Sequence, residues 1–212
     1  MDQVHRLPEL LEGKTLLLRR WTPDDLQLLA SAVERNIEHL RPWMPWVADE
    51  PLSNEERSQL LDRWQQEWRD GGDVTLAIVL GDEVVGSTGL HRRRGPHRLE
   101  VGYWVDKDHL GIGIATEAAA MLTTAALTLS DISAVEIHHD KANDRSGMVP
   151  RRFGYEFLGE FPDRRAAPGE VGIDCAWQVD RDTWRRRQST ETAKAVDMDV
   201  ANRRPNHRRN GE

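Results

Sequence analysis

Leu110-Gly111-Ile112-Gly113-Ile114-Ala115-Thr116-Glu117 sets two glycines at alternate positions directly before an amphipathic segment. Without Cβ atoms, Gly111 and Gly113 can take dihedrals closed to other residues and let backbone N–H groups close on a ligand. The first turn of a following helix adds unpaired donors and a partial positive charge. The chemistry on offer is the holding of a phosphate or pyrophosphate. A triphosphate loop of the Walker type would need Lys and then Ser or Thr after the last glycine, where Ile114 and Ala115 stand. A dinucleotide fingerprint needs a third small residue three positions after Gly113, and Thr116 occupies that place.

Other reactive residues are scattered. Alternation along a strand sends His138 and His139 to opposite faces, so they cannot share one metal with Asp140 without a bulge. Either could instead face a cleft as an auxiliary base or substrate contact. Cys175 lies in an apparent strand and reads as packing rather than a nucleophile. Arg92, Arg93, Arg94 and Arg98 surround the Gly95-Pro96 turn and could touch a ligand phosphate or an acidic substrate, but read by default as solvated loop charge.

The positioning elements follow from periodicity. Arg98 to Val105, aromatic and β-branched, predicts a strand ahead of the glycine loop. Ala115, Ala118, Ala119, Leu122, Ala125, Ala126 and Leu129 fall on one face of a helix after it, small enough to sit close to a sheet. Ala134 to Asp140 predicts another strand, followed by Asn143-x-x-Ser146 at the start of a short helix and Phe153-Gly154-Tyr155-Glu156-Phe157 at its end. Upstream, Leu16 begins a first strand that runs into a helix with Thr22 as N-cap and Pro23 at the first helical position. Ser53 to Asp70 reads as a helix with a Ser53/Glu56 capping box and Leu60, Leu61, Trp64 and Trp68 on one face. Val74 to Leu80 and Glu83 to His91 pair as a hairpin across Gly81-Asp82, and Gly172 to Val179 forms the last strand. The expected fold is a mixed α/β sandwich.

The glycine loop followed by Asn143-x-x-Ser146 and Phe153-Gly154-Tyr155, in this order, resembles the GNAT acyltransferase superfamily, with Gly113 and Ala115 as the small positions of its acyl-CoA loop. Leu110 departs from the Gln or Arg found there in the family, which leaves the backbone donors in place. Asn36-Ile37-Glu38-His39-Leu40-Arg41-Pro42-Trp43-Met44-Pro45-Trp46 resembles the branch that acetylates protein N-termini, including ribosomal proteins. That branch also holds drug-modifying members.

The resemblance implies a central, mostly antiparallel mixed sheet flanked by helices, and acetyl-CoA as cosubstrate. Its acetyl-CoA site would take in Val101, Tyr103 and Val105 of the strand, Leu110, Gly111, Ile112, Gly113, Ile114, Ala115 and Thr116 of the loop, and Asn143 and Ser146. Glu100 would deprotonate the amine, directly or through water, or is an exposed strand carboxylate. Ser146 would stand near the departing thiolate as hydrogen-bond or proton donor, or caps the helix. Pro150 lacks the N–H that would meet the Ser146 carbonyl, so a kink or a late helix start is expected. Trp43, Trp46, Asp49 and Glu50 would wall the acceptor, or the tryptophans pack the first helix.

At 212 residues with 38% hydrophobic content, the chain can bury one substantial core. The expected division is an acetyltransferase domain over residues 1–184 and a disordered polar tail over 185–212. That tail carries eight Lys/Arg against four Asp/Glu, which leaves −11 on the body of a chain whose net charge is −7. One cysteine excludes an intrachain disulfide, and no apolar run is long enough to cross a bilayer. The reading is a cytoplasmic N-acetyltransferase, monomer or homodimer, with direct nucleic-acid binding not expected. Its acceptor is a protein N-terminal α-amine or a small-molecule amine such as an antibiotic or polyamine. A third possibility is an acyl-CoA-binding module without chemistry.

Overall fold

The computed structural model describes residues 7–190, so the six N-terminal residues and the tail from 191 onward lie outside the description. Among the described residues eight strands form one sheet: β1 (Leu10–Glu12), β2 (Leu16–Arg20), β3 (Val74–Leu80), β4 (Glu83–His91), β5 (Arg98–Val105), β6 (Ala134–Asp140), β7 (Glu156–Pro162) and β8 (Ile173–Asp180). Between them run helices α1 (Leu26–Glu34), α2 (Ile37–Leu40), α3 (Asn54–Asp70), α4 (Ile114–Ala126) and α5 (Asp144–Arg152). The strand order is β1-β2-β3-β4-β5-β6-β8-β7. Every neighbouring pair is antiparallel except β5 and β6.

Alternation along the strands divides the apolar residues between two faces. Leu18, Ile78, Val101, Val135 and Ile137 point to one side, where Ala118, Ala119 and Leu122 of α4 cover them. Leu17, Ala77 and Val79 point to the other, against Leu29 and Val33 of α1 and Leu61 of α3. The alanine stripe expected on α4 is buried, but the helix stops at Ala126, and Leu129 packs from the turn beyond it. α3 starts at Ser53, whose hydroxyl accepts from the Glu56 N–H while the Glu56 carboxylate accepts from the Ser53 N–H, and stops at Gly71 in a left-handed conformation.

Three expectations are corrected. Leu16 does not begin the first strand: the short β1 precedes it and pairs with Leu17 to Arg19. Thr22 is the N-cap and Pro23 the first helical residue as expected, but the first turn, Pro23–Asp25, is 3-10 and α1 proper begins only at Leu26, with the Asp25 carboxylate taking the Thr22 N–H (2.8 Å) while bound to Arg19. Residues 181–190 are helical, so order does not end at 184. Trp184 and Gln188 both donate to Thr124 Oγ1 on α4, at 3.1 and 2.8 Å, which ties this segment to the core. The remaining tail expectation, residues 191–212, falls outside the described residues.

Candidate active site

β5 and β6 pair only at Arg98/Ala134, Leu99/Val135 and Glu100/Glu136. Beyond Glu100, β5 stays paired to β4 as far as Val105, and β6 stays paired to β8 as far as Asp140. Each strand therefore follows its outer neighbour and the two part, opening a fork in the middle of the sheet. Among the described residues the β6-facing edge of Val101–Val105 has no strand partner, which is a template for hydrogen bonds to an extended ligand. The side chains of Val101, Tyr103 and Val105 belong to the α4 face.

The glycine loop closes one end of the fork. At the end of β5, buried Asp106 accepts from Arg35 Nε (2.5 Å), Asn36 Nδ2 (2.8 Å) and the Asp108 N–H (2.9 Å), and Asn36 Oδ1 accepts from the Lys107 N–H. The loop thus starts from a fixed point. Leu110 packs onto the core, while Ile112 is exposed. Gly111 and Gly113 have φ of +80° and +96°, and a Cβ on either would meet open space, so conformation rather than room demands glycine. Among the described residues the N–H groups of residues 111–116 find no acceptor, and the Glu117 N–H, bonded to Gly113 O at 2.9 Å, begins the helical ladder. The Glu117 carboxylate, which would repel an anion here, is drawn away to the Thr15 and Leu16 N–H groups and the Thr15 hydroxyl. These donors fit a pyrophosphate.

Across the fork, α5 presents Ser146. Asn143 is its N-cap and accepts from the Ser146 N–H at 3.2 Å. The helix continues through Pro150, whose missing N–H leaves the Ser146 carbonyl unpaired within the helix. The Tyr103 hydroxyl donates to that carbonyl at 3.1 Å, and Ser146 Oγ lies 3.1 Å from the same phenol. Pro150 does not dislodge the serine; it frees a carbonyl that a β5 side chain then captures. Burial pushes the Tyr103 phenol well above its ordinary value, against the smaller opposing effect of Ser146, so it stays protonated.

The opposite face of the fork carries charge. Glu100 is not an exposed strand carboxylate: it is 4% exposed. Arg93 binds both of its oxygens and Arg94 Nε one of them, at 2.6 Å. Burial alone would raise the Glu100 carboxyl, but Arg93 above all, with Arg94 and His138, holds it below its usual range. A carboxylate so neutralised is a weak proton acceptor. The arginine cluster around Gly95 is accordingly not just solvated loop charge, since Arg98 also reaches Glu136 at 2.9 Å. His138 lies between Glu136 (2.8 Å) and Asp174 (2.7 Å), and these partners outweigh burial to raise its pKa. His139 takes the other face, with Nδ1 on Asp140 O and Nε2 accepting from Trp177 Nε1. Cys175 is buried. Of the expected acceptor wall, Trp46 is exposed and lies 6.5 Å from Trp104 of β5, whereas Glu50 is turned inward to a two-pronged pair with Arg57.

One pair escaped the sequence reading. His91, at the end of β4, places Nδ1 2.8 Å from Asp73 Oδ2, and Asp73 Oδ1 accepts from the Arg92 N–H. The predicted hairpin was the available signal, but a bulge between Ile78 and Val79 shifts its register and sets Val74, not Asp73, opposite Leu90.

A forked α/β sheet with a helix start of unpartnered N–H groups after one strand and a hydroxyl pair across the gap fits the class of acyltransferases that use a nucleotide thioester. The family model for the acetyltransferase (GNAT) domain matches residues 15–156, and the chain belongs to that family of acetyl-CoA-dependent enzymes. It is 26% identical over 149 residues to YdaF of Bacillus subtilis (strain 168), named as a candidate ribosomal N-acetyltransferase, covering 70% of this chain and 81% of that protein. Its fold is similar to that of a RimL ribosomal L7/L12 α-N-protein acetyltransferase in complex with coenzyme A, with a TM-score of 0.75, 21% identity, and coverage of 82% of this chain and 99% of that one. Mycobacterium smegmatis RimJ in complex with CoA-disulfide has a TM-score of 0.70 at 20% identity, with 85% and 89% of the two chains covered.

Proposed function

We propose that the protein transfers an acetyl group from acetyl-CoA to the N-terminal α-amine of a protein by direct attack within the fork. The observation that carries the reading is the parting of β5 and β6 after Glu100, with the unpartnered N–H groups of residues 111–116 at one end and the Tyr103–Ser146 pair joining β5 to α5 across the gap. The backbone of residues 111–116 holds the pyrophosphate, and the free edge of Val101–Val105 receives the extended arm. Ser146 donates to the departing sulfur, and Tyr103 fixes the serine while staying protonated itself. Asn143 serves by capping α5 and so orients Ser146.

An α-amine suits the site because its pKa near ~8 demands less from a base than a lysine near ~10.4. The ribosomal-protein acetyltransferases similar to this chain support the same acceptor class, as does the open aromatic pair Trp46 and Trp104 on the acceptor side. A cytoplasmic place of action follows from the supply of acetyl-CoA and of nascent or ribosomal protein.

Thiol release from acetyl-CoA, measured with peptides of varied N-terminus, the same peptides blocked at the N-terminus, free lysine, polyamines and aminoglycosides, tests the assignment. Turnover is expected with unblocked peptides and lost on blocking. Turnover confined to small amines would move the acceptor to that class, and acetyl-CoA binding without turnover on any amine would overturn the enzyme reading.

A further inference from the structure

The glycine loop, α4 and the Tyr103–Ser146 pair lie on one face of the fork, so the amine reaches the thioester carbonyl from the other, the side of α1 and α3. The groups of that face are mostly committed. Glu100 is bound by Arg93 and Arg94, Glu136 by Arg98 and His138, and Asp174 by His138. Both nitrogens of His138 contact carboxylates, which favours its protonated form and leaves it no free lone pair.

His91 is arranged differently. Its Nδ1–H donates to Asp73, which is itself fixed by the Arg92 N–H, so the neutral ring carries its lone pair on Nε2. That nitrogen makes no hydrogen bond among the described residues. It lies 3.1 Å from the point where a Cβ on Gly102 would stand. Gly102 is the second β5 residue beyond the last pair with β6, at the crotch of the fork, and its missing side chain leaves the ring open to the cleft. The side chain of His91 is 25% exposed, enough to meet an incoming amine. A carboxylate that orients an imidazole with the far nitrogen open is the arrangement of a general base.

We propose that His91, oriented by Asp73, is the base that deprotonates the acceptor amine; the assignment rests on the acetyl-transfer reading above. Nε2 takes one proton from the ammonium, and the nitrogen lone pair forms the C–N bond to the thioester carbonyl. Collapse of the adduct breaks the C–S bond, and the sulfur takes a proton from the Ser146 hydroxyl. The second proton of the nitrogen returns through water to the serine oxygen, and His91 releases its own proton to solvent. Asp73 is a positioning residue.

The test follows kcat/KM against pH for a peptide acceptor, with acetyl-CoA affinity measured separately by direct binding. The ring of His91 is faced by Asp73 and by Glu67 of α3, with Glu100 and its Arg93 partner opposite in the β4–β5 register, so these set the charge around it. His91→Gln is expected to lower kcat/KM on the order of 10²-fold at neutral pH. The loss should shrink as rising pH deprotonates the acceptor, with acetyl-CoA affinity unchanged. Asp73→Asn should lower kcat/KM less, with the same trend, and added imidazole should restore part of the activity of His91→Ala. Glu100→Gln should shift the melting temperature without removing the acidic limb of the profile. An active wild type beside a His91→Gln variant with an unaltered profile, or with a loss equal at every pH and no imidazole rescue, overturns the dyad alone. A wild type inactive on every amine overturns the acetyl-transfer reading and the dyad with it.

Discussion

Ser146 gathers three local facts into one position. Asn143 holds its N–H, Pro150 denies its carbonyl the usual helical donor, and Tyr103 supplies a replacement while lying within reach of its hydroxyl. A hydroxyl that only caps a helix would need none of this. Ser146→Ala should therefore lower kcat by about 10-fold to 10²-fold with little change in acetyl-CoA affinity, as loss of a donor to the leaving sulfur requires. Tyr103→Phe should lower kcat in the same direction and also cost stability, because it strands the Ser146 carbonyl. Steady-state kinetics beside thermal melts separate the two, and unchanged kcat in both variants would remove the pair from the chemistry. Asn143 and Ser146 were legible in the sequence as a spacing. Tyr103 as their partner was not, since β5 and α5 meet only in space.

At the scale of elements, the loop between β5 and α4 works through its backbone. Because Gly113 has a φ of +96° and an open Cβ position, Gly113→Ala introduces strain rather than a clash, about 1 kcal/mol or somewhat more. Acetyl-CoA affinity should fall several-fold or more, as the strain is relieved by turning the N–H groups away from the pyrophosphate. Leu110, packed against the core, contributes no polar atom, so Leu110→Ala should weaken acetyl-CoA binding less than Gly113→Ala. Calorimetric titration of both variants checks the order, and the reverse order would mean that a side chain at 110 matters to the ligand after all. The loop, α4 and the strands on either side were readable because each is encoded by neighbours a few residues apart. The short β1 and the helical residues 181–190 were not, for β1 is a three-residue exposed strand and Trp184 is held by Thr124, far away in sequence.

Across the whole molecule, Asp106 joins two parts of the site. Its carboxylate binds Arg35 and Asn36 at the end of α1, where the acceptor-side linker begins, and starts the loop that follows β5. Burial would raise its pKa, but hydrogen bonds from Asn36, the Asp108 N–H and Arg35 bring it down from 3.8 to about 2. A depressed carboxylate stabilises the fold above its unfolded pKa, and that contribution is lost as pH falls from about 4 through about 2. The wild type should therefore lose on the order of 2 kcal/mol relative to Asp106→Asn across this window, although the variant is the less stable at neutral pH. Urea unfolding of both proteins at several acidic pH values reads the difference, and parallel pH dependence would show that Asp106 is not the group responsible.

The sequence by itself determined the glycine loop, the strands and helices around it, the helix with Asn143 and Ser146, and hence the family. Each of these is written in residues near one another, through propensity, period and capping. Only the tertiary structure decided what each charged group faces. Arg93 and Arg94 turn onto Glu100, Arg98 and His138 onto Glu136, and Glu50 onto Arg57, so the expected base is neutralised and one of the two carboxylates of the expected acidic wall is turned inward, while Asp49 stays exposed. The β3–β4 bulge sets which residue His91 meets: without the extra residue at Val85, Asp73 would face Leu90, and with it Asp73 faces His91. Side chains alternate faces at every residue along a strand, so a one-residue shift in register changes which groups can react together, and no local pattern in the chain records that shift.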